Sequence, residues 1–362
     1  MSSSIGNLFK LTTFGESHGI AMGGIIDGCP SGLMLDFHHV QECLNKRRPG
    51  YNVLQSERKE PDEVEFLSGL LDGVTLGSPI GFVIKNKNAK SKDYDQLKDI
   101  FRPSHADFTY DKKYGLRDHR GGGRASARET VNWIVGGAIA SQILKTKNIS
   151  ISSYVSAIGN VSMDLAEKPF NLDNVYKNNA RCPVDSVAKK MEELILKCKA
   201  DGDTVGGKVS TVVKGLPVGL GEPIFNKLQA SIARSIMSIN ACKGIEFGLG
   251  FKISEMKGSE VNDVFELNEK NEIYTKTNYS GGILGGISNG SDVYFKSAFK
   301  PVSTIFKSQG TINSSLEKVN YKSSGRHDPC VVPRVVPIVD SLTAMLILDF
   351  YLMNKKTKLS DL

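Results

Sequence analysis

Apolar residues separated by polar and glycine positions divide the chain into short elements. Residues 5–27 hold two apolar stretches parted by Thr13-Phe14-Gly15-Glu16-Ser17-His18-Gly19, which predicts a strand, a glycine-bounded loop and a second strand over 20–26. Gly28-Cys29-Pro30-Ser31-Gly32 is a turn. A helix follows with Asp36 as its N-cap and stops at Lys46-Arg47-Arg48-Pro49-Gly50, where proline and glycine end it. Residues 64–71 and 81–85 read as strands joined through 73–79, and 91–101 as a polar stretch. Residues 131–145 form a helix that is apolar over a wide arc (Trp133, Ile134, Ile139, Ile143, Leu144), as expected of a buried helix. Strands are predicted over 149–161, 209–213, 245–253 and from Val293. Val187, Met191, Leu194 and Ile195 mark an amphipathic helix over 184–199, and another covers 225–237. Residues 255–279 read as an irregular surface excursion. A last apolar helix spans 337–351 with Pro337 at its first position, followed by a polar tail, 355–362. Helices and strands mix without strict alternation and no linker interrupts them. This predicts an α+β fold in a single domain, 1–354.

Composition changes this picture little. Of 362 residues, 40% are hydrophobic and 23% charged, as in ordinary globular proteins. The net charge of +7 favours acidic small molecules without establishing nucleic-acid binding. No uninterrupted run of about 18 apolar residues and no signal-peptide core is visible, so neither a membrane span nor export is expected. The six cysteines are scattered with no C-x-x-C pair, which fits a reducing cytoplasm and argues against a zinc site.

Candidate chemistry concentrates at residues 114–130. Arg117, Arg120, Arg124 and Arg128 surround His119 and the run Gly121-Gly122-Gly123, just ahead of the predicted helix. Glycines let backbone N–H groups approach a ligand, a helix start adds positive potential, and arginine forks match phosphate or carboxylate oxygens. The stretch reads as an anion cradle; a solvated basic loop is the plain alternative. His18, His105, His119 and His327 lie in glycine- or arginine-rich loops, where each is either a satisfied loop histidine or a proton-transfer group. His38 and His39 read as surface residues. No nucleophile elbow G-x-S-x-G, Walker A loop or H-E-x-x-H is expected, residues 281–290 read as well as a turn as a dinucleotide loop, and 201–207 lacks the EF-hand pattern. Spacing alone therefore reaches an arginine- and histidine-rich enzyme for a small polyanion, with no metal signature, and does not name the reaction.

Taken together, the motifs resemble chorismate synthase. Thr13 to Gly19, Arg47-Arg48-Pro49-Gly50, Phe101-Arg102-Pro103-Ser104-His105-Ala106-Asp107, residues 121–130, Asn240-Ala241, residues 280–290, Lys300-Pro301-Val302-Ser303-Thr304 and residues 325–330 occur in the family's order and span most of the chain. The resemblance implies a β-α-β sandwich with internal pseudo-duplication, assembled as a homotetramer. It implies anti-1,4 elimination of phosphate from 5-enolpyruvylshikimate 3-phosphate to give chorismate, the last step of the shikimate pathway, with reduced FMN and no net redox change. His18 would donate a proton toward the flavin, His105 would protonate the departing phosphate or hold the substrate, and Asp328 would help the flavin N5 take the C6 proton. Arg47 and Arg48 match substrate-side arginines. Arg124, Ala125, Ser126, Asn240, Ala241, Gly285, Lys300, Pro301, Val302, Ser303, Thr304 and Arg326 match flavin-contacting positions. The chain departs from the family at Ser104, usually glycine, at Ala125, often serine, and at Val53, an arginine in some members. It lacks the long insertions of members that reduce their own flavin, so NADPH is expected to act only indirectly, through a separate flavin reductase. The rivals are a basic RNA-binding protein, against which the single Arg-Gly-Gly-Gly-Arg run without interleaved aromatics argues, and a phosphate-binding structural protein.

Overall fold

The fold is a computed structural model that describes residues 3–50, 54, 60–87, 97–163, 170–323 and 327–361. Alternating burial along its strands, as in Val293–Phe299, builds two antiparallel sheets that each bury one face. The first runs Ser4–Ile5, Lys10–Gly15, Ala21–Asp27, Ile80–Lys85, Val64–Phe66. The second runs Val161–Ser162, Ser150–Ile158, Gly207–Lys214, Val293–Phe299, Cys242–Phe247. The helices are α1 (Phe37–Arg47), α2 (Asp107–Tyr114), α3 (Thr130–Lys145), α4 (Asp185–Ala200), α5 (Leu228–Met237), α6 (Gly258–Val261) and α7 (Val332–Asn354).

α3 packs on the first sheet and on Ser150–Ile158, while α7 packs on α1, α3, α5 and the second sheet. Sheets thus enclose a helical layer, an α+β fold of β-α-β sandwich form. α3 and α7 meet closely because Gly137 carries no side chain, and a Cβ there would lie 2.2 Å from that of Ser341. By length and composition α7 could cross a membrane, but 83% of its apolar window is buried inside the protein, so the two sheets and the other helices account for its hydrophobicity. Its buried Asp349 accepts from the backbone N–H groups of Asn7 (2.9 Å), Leu8 (2.6 Å) and Phe9 (3.0 Å), tying the chain's two ends together.

Several expectations need correction. α2 was not foreseen, because Asp-Phe-Thr-Tyr-Asp-Lys-Lys-Tyr carries no apolar stripe of helical period. The strand expected over 245–253 ends at Phe247, where Gly248 (φ +58°) and Gly250 (φ +60°) turn the chain into a 3₁₀ segment, Gly250–Glu255. Residues 255–279 contain α6 and a hairpin, Phe265–Leu267 with Ile273–Thr275. The C-terminal helix begins at Val332, with Pro333 in its first turn and Pro337 inside it.

Candidate active site

One cavity of about 760 Å³ opens where the loop after Lys10–Gly15, the end of α1, α2, the glycine run, the 239–243 and 300–304 loops and the start of α7 meet. Gly121, Gly122 and Gly123 all have positive φ (+79°, +87°, +51°) and all line it. Gly121 must be glycine: a Cβ would sit 2.1 Å from Cε1 of His18. His18 is held by the Ser17 hydroxyl, 3.1 Å from its Nδ1. Residues 15–19 fit the spacing G-x-S-x-G, contrary to the expectation that the chain lacks it. They join two antiparallel strands rather than a strand and a helix, and Ser17 is buried, so this is no nucleophile elbow.

The cradle's arginines divide. Arg117, Arg124 and Arg128 line the cavity, whereas Arg120 is half exposed and pairs with Asp118 at 2.9 Å, and His119 lies off the lining. Two buried carboxylates organise the guanidinium groups. Asp62 takes Arg47 at 3.0 Å and Arg128 through a second, shorter contact. Asp107 takes Arg102 at 2.7 Å and Arg117 at 3.1 Å, and its carboxyl is held low: those arginines outweigh the burial that alone would raise it. Arg47 also donates to the Thr130 hydroxyl and the Ala127 carbonyl, both at 3.0 Å, and burial pulls its guanidinium down to about 9. Arg128 is 7% exposed, with Nε on Asn86 at 3.1 Å, yet its Nη2 has no acceptor among the described residues. A buried guanidinium N–H left without an acceptor is costly, and an anion entering the cavity would satisfy it. Arg124 bridges Glu129 (2.7 Å) and the Thr13 hydroxyl (2.8 Å), so one face of the glycine run is pinned to the first sheet.

On the opposite wall His105 has Nδ1 3.0 Å from the Pro103 carbonyl and Nε2 3.0 Å from Thr304 Oγ1. The carbonyl can only accept, so the proton sits on Nδ1. Burial, then Arg102, lowers the His105 pKa and favours the neutral ring. Lys300 bonds Ser303 Oγ at 2.8 Å and the Ser104 carbonyl at 3.3 Å; burial and neighbouring Lys243 lower its pKa. Asn240 donates to the Ala125 carbonyl at 2.9 Å, Ala241 adopts φ +68°, and Asp328 pairs with Arg334.

Of the residues singled out in the sequence, His18, Arg47, His105, Arg124, Ala125, Ser126, Asn240, Ala241, Lys300 to Thr304 and Asp328 share this cavity. Arg48, the C-cap of α1, and Gly285, in the turn between Ile283–Leu284 and Ile287–Ser288, lie off its lining. Arg326 and Val53 fall outside the described residues. Sequence reasoning missed Asp62, Lys243 and Arg334, which stand in no motif, and gave Asp107 no role although its Arg-Pro-Ser-His-Ala-Asp setting was visible.

The family model for chorismate synthase matches residues 9–352. The chain belongs to the chorismate synthase family. It is 54% identical to the chorismate synthase of Christiangramia forsetii over 357 residues, 99% of each chain. It is 54% identical to that of Phocaeicola vulgatus over 359 residues, 99% of this chain and all of the relative. A crystal structure of chorismate synthase superposes with a TM-score of 0.78 at 27% identity, covering 97% of this chain and 94% of the other. Chorismate synthase is a carbon–oxygen lyase of the shikimate pathway. Within that family the serine at 104 has a visible consequence: φ is +59°, a conformation glycine takes without strain.

Proposed function

We propose that this chain eliminates phosphate from 5-enolpyruvylshikimate 3-phosphate in the anti-1,4 sense to give chorismate, using reduced FMN without net oxidation. The observation that carries the reading is the meeting of His18, His105 and Asp328 with Arg47, Arg124 and Arg128 around one cavity. A substrate with two carboxylates and a phosphate matches that cationic wall, and Arg128 Nη2, without an acceptor among the described residues, supplies a buried donor for one of its oxygens.

The residues present also fit FMN. Arg124, Ala125, Ser126, Asn240, Ala241 and Lys300 to Thr304 form a polar wall in which Lys300 and Lys243 offer charge to a phosphate. Gly285 and Arg326 join this set through the family motif alone. Reduced FMN, when bound, supplies electron density that weakens the C–O bond to phosphate. The protein's part is to orient and to manage protons. Arg47 and Arg128, locked by Asp62, keep the substrate anions in one register. His105, neutral and oriented by Pro103 and Thr304, gains a proton at Nε2 as a phosphate dianion arrives, and gives it to the departing oxygen. Asp328, steadied by Arg334, assists removal of the C6 proton, and His18 holds a proton beside the glycine run.

Further parts of the proposal are a single domain over 1–354 with a tail at 355–362, a homotetramer, a cytoplasmic setting and supply of reduced FMN by a separate reductase. Asp349's bonds to the N-terminal backbone support the first. Exposed Phe14, Ile20 and Ile25 around the first sheet support association, and six free cysteines suit a reducing compartment. The test is anaerobic incubation with photoreduced FMN and the enolpyruvyl substrate. Phosphate and chorismate should form in equal amounts while the flavin stays reduced. No phosphate from folded protein would overturn the reading, and NADPH-driven turnover without added reductase would overturn the external supply.

A further inference from the structure

Beside the cavity, α1 and α7 each present a carbonyl that helix geometry leaves short of a donor. Lys46 lies in the last turn of α1, where C=O groups have no intrahelical N–H. Pro337 has no N–H, so the carbonyl of Pro333, four residues earlier in α7, loses its helical partner. Arg181, from neither helix, reaches both: Nη2 donates to the Lys46 carbonyl and Nη1 to the Pro333 carbonyl. Each carbonyl immediately precedes a cavity arginine, Arg47 in one case and Arg334 in the other. Arg334 Nε in turn donates to the Arg47 carbonyl at 3.1 Å, and its Nη1 holds Asp328.

The turn carrying Arg181 is built to deliver it. Its φ of +56° is left-handed, which costs a non-glycine residue on the order of 1 kcal/mol. Tertiary bonds hold it there. The Arg181 carbonyl accepts from Val155 at 2.9 Å, and the Asn178 side chain bonds the Cys182 carbonyl (2.7 Å) and amide (3.2 Å). The Tyr176 ring lies 5.1 Å from the guanidinium carbon. A planar fork can serve two acceptors on different helices at once; a lysine ammonium has no such fixed geometry.

We propose that Arg181 is a positioning residue of this site: by bonding the Lys46 and Pro333 carbonyls it sets the distance between α1 and α7, and with it the spacing of Arg47 from Arg334 and Asp328. The proposal rests on the reading of the cavity as the substrate site. Its test compares wild type with Arg181→Lys, which keeps the charge but not the fork, and Arg181→Gly, which suits φ +56° and keeps the turn while deleting the fork. Phosphate-release kinetics and calorimetric binding of the enolpyruvyl substrate are measured beside flavin fluorescence. Arg181→Lys should raise KM and substrate Kd about tenfold and Arg181→Gly further, with flavin affinity within about twofold of wild type. Variants with lowered melting temperatures but wild-type KM, Kd and kcat overturn the proposal, leaving Arg181 a purely structural bond. Equal loss of flavin and substrate affinity overturns it too. If Arg181→Gly does not fold, Arg181→Lys decides alone. Wild type that binds substrate but releases no phosphate counts against the proposed function instead, while the substrate Kd values still judge Arg181.

Discussion

Ser104 sits at φ +59°, with its carbonyl accepting from Lys300 and Ser303, so the backbone is held in a left-handed conformation that its side chain disfavours. Ser104→Gly should remove that strain, partly offset by greater freedom of the unfolded chain, for a net gain of about 0.5 kcal/mol in denaturant unfolding with turnover retained. Gly121 and Gly122 offer a sharper contrast. Both have left-handed φ, but a Cβ on Gly122 meets nothing closer than 4.0 Å, while one on Gly121 would overlap the His18 ring. On the proton-holding role proposed for His18, Gly121→Ala should therefore lower kcat/KM about 100-fold beyond Gly122→Ala, since displacing such a group by an ångström costs that much. At this scale the sequence was informative wherever a residue type is uncommon in its setting: histidines among glycines, arginines without lysines. It was silent on Asp62, an ordinary aspartate that becomes the counter-ion of Arg47 and Arg128 only when the chain folds.

Among the elements, the central helices were legible because burial left them apolar around a wide arc, and α1 because Asp36 caps it through the His39 amide at 3.0 Å. The start of α7 was not. Pro337 reads as a first-turn residue until one sees that Pro333 occupies that turn and Arg181 serves the carbonyl orphaned by Pro337. α7 also carries Asp340, whose carboxyl burial pushes up to about 7 from 3.8 against the lowering effect of Ser153, and whose Oδ1 has no hydrogen-bond partner among the described residues. A raised pKa means the folded state holds a proton that the unfolded chain has lost. The associated stability is complete below pH 3.8 and disappears as pH rises through 7. Asp340→Asn should accordingly gain on wild type between pH 4 and 7 and then level off. The advantage accumulated by pH 8 should be about 4 kcal/mol, the equivalent of a shift from 3.8 to about 7, read from urea unfolding at each pH.

For the whole molecule, motifs as far apart as residues 18 and 328 gather at one cavity because the two sheets close over α3 and α7 and turn their connecting loops to the same side. That convergence was implied by family resemblance and could not be read from spacing. Gly285 keeps the sequence pattern and lies off this lining. The most direct measurement is a crystal structure of the protein with FMN and 5-enolpyruvylshikimate 3-phosphate both bound. The account predicts the two molecules in contact within the cavity bounded by His18, Arg47, His105, Arg124 and Asp328, with a substrate oxygen on Arg128 Nη2. Ligands seated elsewhere while this cavity holds only solvent would contradict it.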